Sequence, residues 1–234
     1  MRIALMVFRM FFRAIYYLIQ IDRYGKSDKY TEEQRFLLLK KTTTEANKAG
    51  RVTIKSYGLE HIPQENGYIM YPNHQGLFDV LGLLESCTKP FSVVMKKEVG
   101  NIILLKQVIR CLRGQLIERD NIRQGLEVIK KMTEEVKNGR NYVIFAEGTR
   151  TRNKNELLDF KGGSFKAAIN AKCPIVPVAL IDSYKPFDEN SIKPVTIQIH
   201  YLEPIYFEEY QNMKSTEIAK MVKDRIEHVI KENE

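Results

Sequence analysis

Four short runs of consecutive apolar residues constrain this chain more than any other feature. They are Gly67-Tyr68-Ile69-Met70-Tyr71, Phe91-Ser92-Val93-Val94-Met95, Tyr142-Val143-Ile144-Phe145-Ala146 and Ile175-Val176-Pro177-Val178-Ala179-Leu180. A strand that is apolar at successive positions buries both of its faces, which is the habit of parallel sheets covered by helices on each side. The segments between the runs have helical character. In 121–138, for example, Ile122, Leu126, Ile129, Met132 and Val136 recur at helical spacing before a stop at Asn138-Gly139. Further helices are expected at about 79–87, up to 112, at 162–171 and at 214–232, and further strands near 52–54, 115–118 and 195–201. The alternation predicts an α/β fold with a mostly parallel central sheet flanked by helices. Pro177, lacking an N–H, points to an edge or a bulge within its strand. No internal repeat or low-complexity linker interrupts the pattern.

The first 49 residues read differently, and the chain divides at that point into a region 1–49 and an α/β domain 50–234. In residues 1–21 almost every side chain is apolar or aromatic except Arg2, Arg9 and Arg13. At helical spacing those arginines fall within a sector of about 40°. Arg9 and Arg13 sit badly in the middle of a spanning helix, and no small-residue cleavage site follows. The expectation is a helix lying in the plane of a membrane, its apolar side among acyl chains and its arginines toward anionic headgroups. A core-packed helix with an arginine edge is the competing reading. Thr31-Glu32-Glu33-Gln34 has capping-box spacing and opens a second helix to about residue 48. Together they form an N-terminal two-helix membrane-docking motif and place the protein at the cytoplasmic face of the cell membrane, peripheral or monotopic.

The chain has 234 residues, 44% hydrophobic and 28% charged, enough to bury a real core. Its formal net charge of +8 favours an anionic partner without choosing one. Against nucleic acid stand the scatter of the basic residues and the lack of any recognition motif. Cys87, Cys111 and Cys173 are far apart and show no metal spacing, which fits reduced thiols better than a disulfide framework and implies no metal site.

Polar residues cluster just after the predicted strands, where open α/β sheets bind ligands. His74 and Asp79 stand five residues apart on the turn leaving the 67–72 strand. A carboxylate-held imidazole is a general base with its tautomer fixed, although an Asp capping the next helix beside an uninvolved His gives the same spacing. Lys96, Arg119 and Arg150 are three cations suited to a phosphate. Gly148 permits a sharp turn and Thr149 adds a hydroxyl donor. No Ser or Cys nucleophile accompanies His74, so the imidazole is better read as activating a hydroxyl of the substrate.

Four blocks in order resemble the glycerolipid acyltransferase family, specifically its 1-acyl-glycerol-3-phosphate acyltransferases. They are Asn73-His74-Gln75-Gly76-Leu77-Phe78-Asp79, Gly114-Gln115-Leu116-Ile117-Glu118-Arg119, Phe145-Ala146-Glu147-Gly148-Thr149-Arg150 and Ile175-Val176-Pro177-Val178-Ala179. The resemblance covers about 50–205. Two positions depart from the family pattern: Glu118 stands for an aspartate and Ala146 for a proline. The resemblance implies that His74, oriented by Asp79, deprotonates the free hydroxyl of lysophosphatidic acid, which attacks an acyl thioester. It places Lys96, Arg119 and Arg150 around the substrate phosphate, with Glu147 holding the arginines or the glycerol. It implies no cofactor, the donor being acyl-CoA or acyl carrier protein as a substrate, and no covalent acyl-enzyme. Another lysolipid or an amino-acid-derived lipid as acceptor, a non-catalytic basic membrane-binding module and a thioesterase-like hydrolase are the alternatives.

Overall fold

Side chains at successive strand positions point to opposite faces of a sheet, so the apolar runs need cover on both sides. The structure, a computed structural model, describes residues 1–98, 103–118 and 121–234. Its elements are α1 (Arg2–Lys26), α2 (Glu32–Ala49), β1 (Val52–Tyr57), β2 (Ile69–Pro72), α3 (Asp79–Ser86), β3 (Ser92–Lys96), α4 (Ile103–Cys111), β4 (Gln115–Ile117), α5 (Ile122–Lys137), β5 (Tyr142–Val143), α6 (Lys166–Ala171), β6 (Ile175–Ile181), α7 (Lys185–Asp188), β7 (Val195–Tyr201), α8 (Phe207–Tyr210) and α9 (Ser215–Asn233). The strands form one sheet in the order β1-β7-β6-β2-β5-β3-β4. Among the described residues every pairing is parallel except β6 with β7. The expected mostly parallel α/β sheet is therefore the observed one.

The two faces separate cleanly. Met70, Val143, Val176, Val178 and Leu180 join Phe36, Leu39 and Leu83 in one core under α2 and α3. Ile69, Tyr142, Ile175, Ala179 and Ile181 join Met132, Ile218, Val222 and Ile226 in the other, under α5 and α9. Full burial of such an aliphatic side chain is worth about 1.5–3 kcal/mol, so the two cores fix the strand register. The three cysteines are free and buried.

Pro177 sits at a bulge, the second of the two places expected for it: the antiparallel register of Val178 with Tyr201 slips by one residue by the bridge of Ile175 with Ile205. It lies buried in β6, between β2 and β7. Its carbonyl accepts from Leu202 N–H at 3.0 Å, just past the end of β7. The N–H that proline lacks would point to the same side, into the bulge between the pairs Val178 with Tyr201 and Ile175 with Ile205. No ladder bond is lost there, which is why an interior strand tolerates it.

Helix α1 turns one end of the expected arginine edge inward and leaves Arg9 and Arg13 exposed. The Arg2 guanidinium is buried and donates to the carbonyls of Pro186, Gly50 and Lys193 at 3.1, 2.7 and 2.9 Å. Arg9 donates to Ala49 O at 3.0 Å and Arg13 to Glu45 at 3.4 Å. The free carbonyls at the C-terminal end of α2 are a negative partner supplied by the protein itself, and they take Arg2 and Arg9, while Arg13 pairs with the Glu45 carboxylate and stays exposed. Met6, Met10, Tyr17 and Ile21 pack inward beside them. The opposite face of α1 is apolar and bare, with Phe8 82% and Phe12 84% exposed. By length and composition alone α1 is able to cross a membrane. The capping box of α2 forms as expected, Thr31 Oγ1 accepting from Gln34 N–H and Gln34 Oε1 from Thr31 N–H.

Candidate active site

Strand β2 runs through the middle of the sheet and stops at Pro72. Asn73 then takes over as a side-chain strand partner: its Oδ1 accepts from Leu180 N–H at 2.7 Å and its Nδ2 donates to Leu180 O at 3.0 Å. This clamp fixes where the chain leaves the sheet and so where His74 stands. Asp79 opens α3 and is wholly buried. Its Oδ2 accepts from the N–H groups of Gln75 and Gly76 at 2.7 and 3.0 Å, and from His74 Nδ1 at 2.7 Å. Its Oδ1 accepts from Ser183 Oγ at 2.6 Å. A carboxylate with that many donors is held in one orientation.

The consequence for His74 is a fixed tautomer. Nδ1 faces a carboxylate and carries the proton, which leaves the Nε2 lone pair free. Nε2 has no hydrogen bond among the described residues. One face of the ring rests on Phe145 at a centroid distance of 4.3 Å. The backbone of His74 is pinned too, its N–H donating to Glu147 Oε1 at 2.7 Å and its carbonyl accepting from Thr151 N–H at 2.8 Å. The arrangement can take a proton at Nε2 and stabilise the resulting imidazolium.

The family model described as Acyltransferase matches residues 53–181, more than half of the chain. The chain belongs to the acyltransferase family. It is 29% identical over 153 residues to the 1-acyl-sn-glycerol-3-phosphate acyltransferase of Cocos nucifera, covering 64% of this chain and 49% of that protein. It is 31% identical over 129 residues to a probable enzyme of the same name from Mycoplasma genitalium, covering 52% and 47%. The chain thus spans about half the length of these two curated relatives. The crystal structure of the 1-acyl-sn-glycerophosphate (LPA) acyltransferase PlsC from Thermotoga maritima superposes with a TM-score of 0.79 at 22% identity, covering 99% of this chain and 97% of that one. That likeness establishes the fold.

In this acyltransferase the other expected site residues fall into two groups. Glu147, expected to hold the arginines or the acceptor glycerol, is 2% exposed and spends both oxygens on backbone N–H groups, those of His74 and of Leu158 at 3.0 Å. It braces the turn from inside. Burial pushes its carboxyl up to about 7, against the opposing pull of those two N–H donors. Gly148 turns the chain with φ +72°, a conformation that suits glycine. Thr149 and Lys96 are exposed at the same edge, and Arg150 is partly exposed. Lys96 pairs with Glu98 at 2.8 Å and Arg150 with Asp188 at 3.4 Å. Arg119 lies outside the described residues. Glu118, beside it, is ion-paired to Lys97.

Several site residues carried no sequence signal. Ser183 reaches Asp79 because the chain turns after β6 with Asp182 at φ +64°. Ser183 N–H also donates to Gln75 Oε1 at 2.6 Å, and Gln75 Nε2 donates to Asn155 Oδ1 at 2.7 Å. Asn155 Oδ1 in turn accepts from Asp182 N–H at 2.8 Å. These polar side chains lock the turns after β2, β5 and β6 together.

Proposed function

We propose that this acyltransferase moves an acyl chain from a thioester to the free sn-2 hydroxyl of 1-acyl-glycerol-3-phosphate, giving phosphatidic acid. The observation that carries the reading is the His74–Asp79 pair, with Nδ1 tied to a buried carboxylate and Nε2 open at an edge that also bears cations. The relatives' names supply the acceptor. In this mechanism Nε2 takes the hydroxyl proton as the oxygen attacks the thioester carbonyl. The tetrahedral intermediate then collapses, the C–S bond breaks, and His74 returns the proton to the leaving thiolate. Asp79 steadies the imidazolium between the two steps. General-base help of this kind is worth about 10²–10⁴ in rate. Lys96, Arg119 and Arg150 bind the acceptor phosphate, and Gly148 and Thr149 shape the turn against it. The donor is acyl-CoA or acyl carrier protein, and no cofactor takes part.

In the same reading residues 1–49 hold the α/β domain 50–234 at the cytoplasmic face of a membrane. A bare face containing Phe8, Phe11, Phe12, Ile15 and Ile19 is far more apolar than a water-facing helix needs. Because its arginines are engaged by α2, attachment depends on these apolar side chains more than on headgroup charge. The double variant Phe8→Glu, Phe12→Glu leaves the packed side of α1 intact. It is expected to stop co-sedimentation with phosphatidylcholine–phosphatidylglycerol vesicles, and undiminished co-sedimentation would refute the anchor.

Acyl transfer is tested by thiol release from an acyl thioester in mixed micelles, with and without lysophosphatidic acid. Release that needs the acceptor and vanishes in His74→Ala supports the reading. Release without acceptor identifies a hydrolase. Equal release with an acceptor lacking phosphate moves the assignment to another lipid, and none with any acceptor leaves a membrane-binding module.

A further inference from the structure

The cations assigned to the phosphate are not equally available. Lys96 is already paired with Glu98, and Arg150 with Asp188. An incoming phosphate must compete with those carboxylates. Lys161 is different. Its main-chain N–H donates to Ala146 O at 2.9 Å, which seats it directly across the Glu147-Gly148-Thr149-Arg150 turn. Its side chain then runs back over Gly148. Nζ, Cε and Cδ lie 3.0, 3.3 and 3.4 Å from where a Cβ on Gly148 would sit. Any side chain at 148 would displace this lysine, so the glycine serves two ends, the left-handed turn and the passage of the ammonium. Among the described residues no carboxylate lies within ion-pairing distance of Lys161. Asp159, two residues before it, pairs with Lys223 at 2.6 Å, and Glu147, in the turn it crosses, faces inward to backbone N–H groups.

The geometry points to Lys161 as a further phosphate-binding residue of the acceptor pocket, the cation that stands unpaired over the turn before substrate arrives. Its ammonium meets the phosphate monoester first, and Arg150 joins by exchanging Asp188 for a phosphate oxygen. The proposal rests on the acyl-transfer reading for the identity of the acceptor, but not for the presence of an anion site.

Two variants separate charge from packing. Lys161→Met keeps an apolar chain over Gly148 and removes the cation, whereas Lys161→Arg keeps the cation. A lost charge-assisted hydrogen bond corresponds to about tenfold to a hundredfold in affinity. Lys161→Met is therefore expected to raise KM for lysophosphatidic acid by that factor, with kcat and the donor KM nearly unchanged and Lys161→Arg close to wild type. Equal rises in both KM values, or none, would overturn the assignment. A second arm does not depend on turnover: glycerol 3-phosphate is titrated against the His74 imidazole NMR signals. His74 is faced by Asp79 at its ring and Glu147 at its backbone, and neither changes in the variants. Saturable shifts in wild type that weaken tenfold or more in Lys161→Met support the site. Equal dissociation constants in the two proteins, or no shift in wild type, refute it. If wild type binds glycerol 3-phosphate yet transfers no acyl group, the acyl-transfer reading fails and this one stands.

Discussion

The inner and outer halves of the site are built on opposite terms. Inside, Asp79 and Glu147 are buried, and every carboxylate oxygen already has a donor within the protein. Outside, Lys96 and Arg150 are partly solvated and borrow their partners from nearby acids. Removing a partner from a buried anion costs its full desolvation, while an exposed ion pair is worth about 0–1 kcal/mol. The inner half is therefore preorganised by folding, and the outer half is free to change partners on binding. Changes inside should appear in kcat and stability, and changes outside in the acceptor KM.

The largest effect is expected from Asp79→Asn. The substitution keeps the shape but removes the charge that steadies a protonated His74. A fall in kcat of about 10²–10⁴ is expected with little change in either KM. A variant that loses acceptor affinity at unchanged kcat would reverse the division between the halves.

Ser183→Ala comes next. It strips the buried Asp79 Oδ1 of the only hydrogen bond it makes among the described residues. The cost is about 1–3 kcal/mol, read as a lower melting temperature, with a smaller loss of kcat than in Asp79→Asn because the charge remains. Unchanged melting would mean that the buried carboxylate does not need this donor.

This serine also marks the limit of what the sequence disclosed. His74 and Asp79 were legible because both ends of their hydrogen bond lie on one five-residue turn. Ser183 meets Asp79 across 104 residues, and Asn73 meets Leu180 across 107. Neither residue type has a spacing that announces such a contact; only the adjacency of β2 and β6 creates it. The parallel sheet could be read from doubly apolar strands. That β1 joins beyond β7, making β6–β7 the antiparallel pair, could not, since it depends on which edge is left to fill. Periodicity likewise gave α1 an arginine side and an apolar side. The direction of each was decided by the carbonyls ending α2, which lie 40 residues and more along the chain.

Glu147 allows a pH test of the inner half. Its carboxyl titrates at about 7 in the fold because of burial, against about 4.3 for a free glutamate. The folded state thus holds the proton more tightly than the unfolded chain. The contribution of Glu147 to stability declines as pH rises from about 4.3 to 7, and the full penalty of its buried charge is present above that. Glu147→Gln should remove this part of the slope. The difference in stability between the two proteins, followed by denaturant titration from pH 5 to 8, should shift steadily in favour of the variant. Parallel curves would mean that Glu147 stays ionised throughout.

The smallest effect belongs to the outer half and is the most discriminating. Asp188→Ala removes the acid that holds Arg150 in the free protein. Both side chains are partly solvated, so stability should hardly move. An Arg150 with no partner to give up binds phosphate at lower cost. The KM for lysophosphatidic acid should fall by up to a few fold, within the ~1 kcal/mol that an exposed pair is worth, and kcat should stay put. A raised KM would instead show that Asp188 aims Arg150 at the phosphate, which would make the outer half as preorganised as the inner.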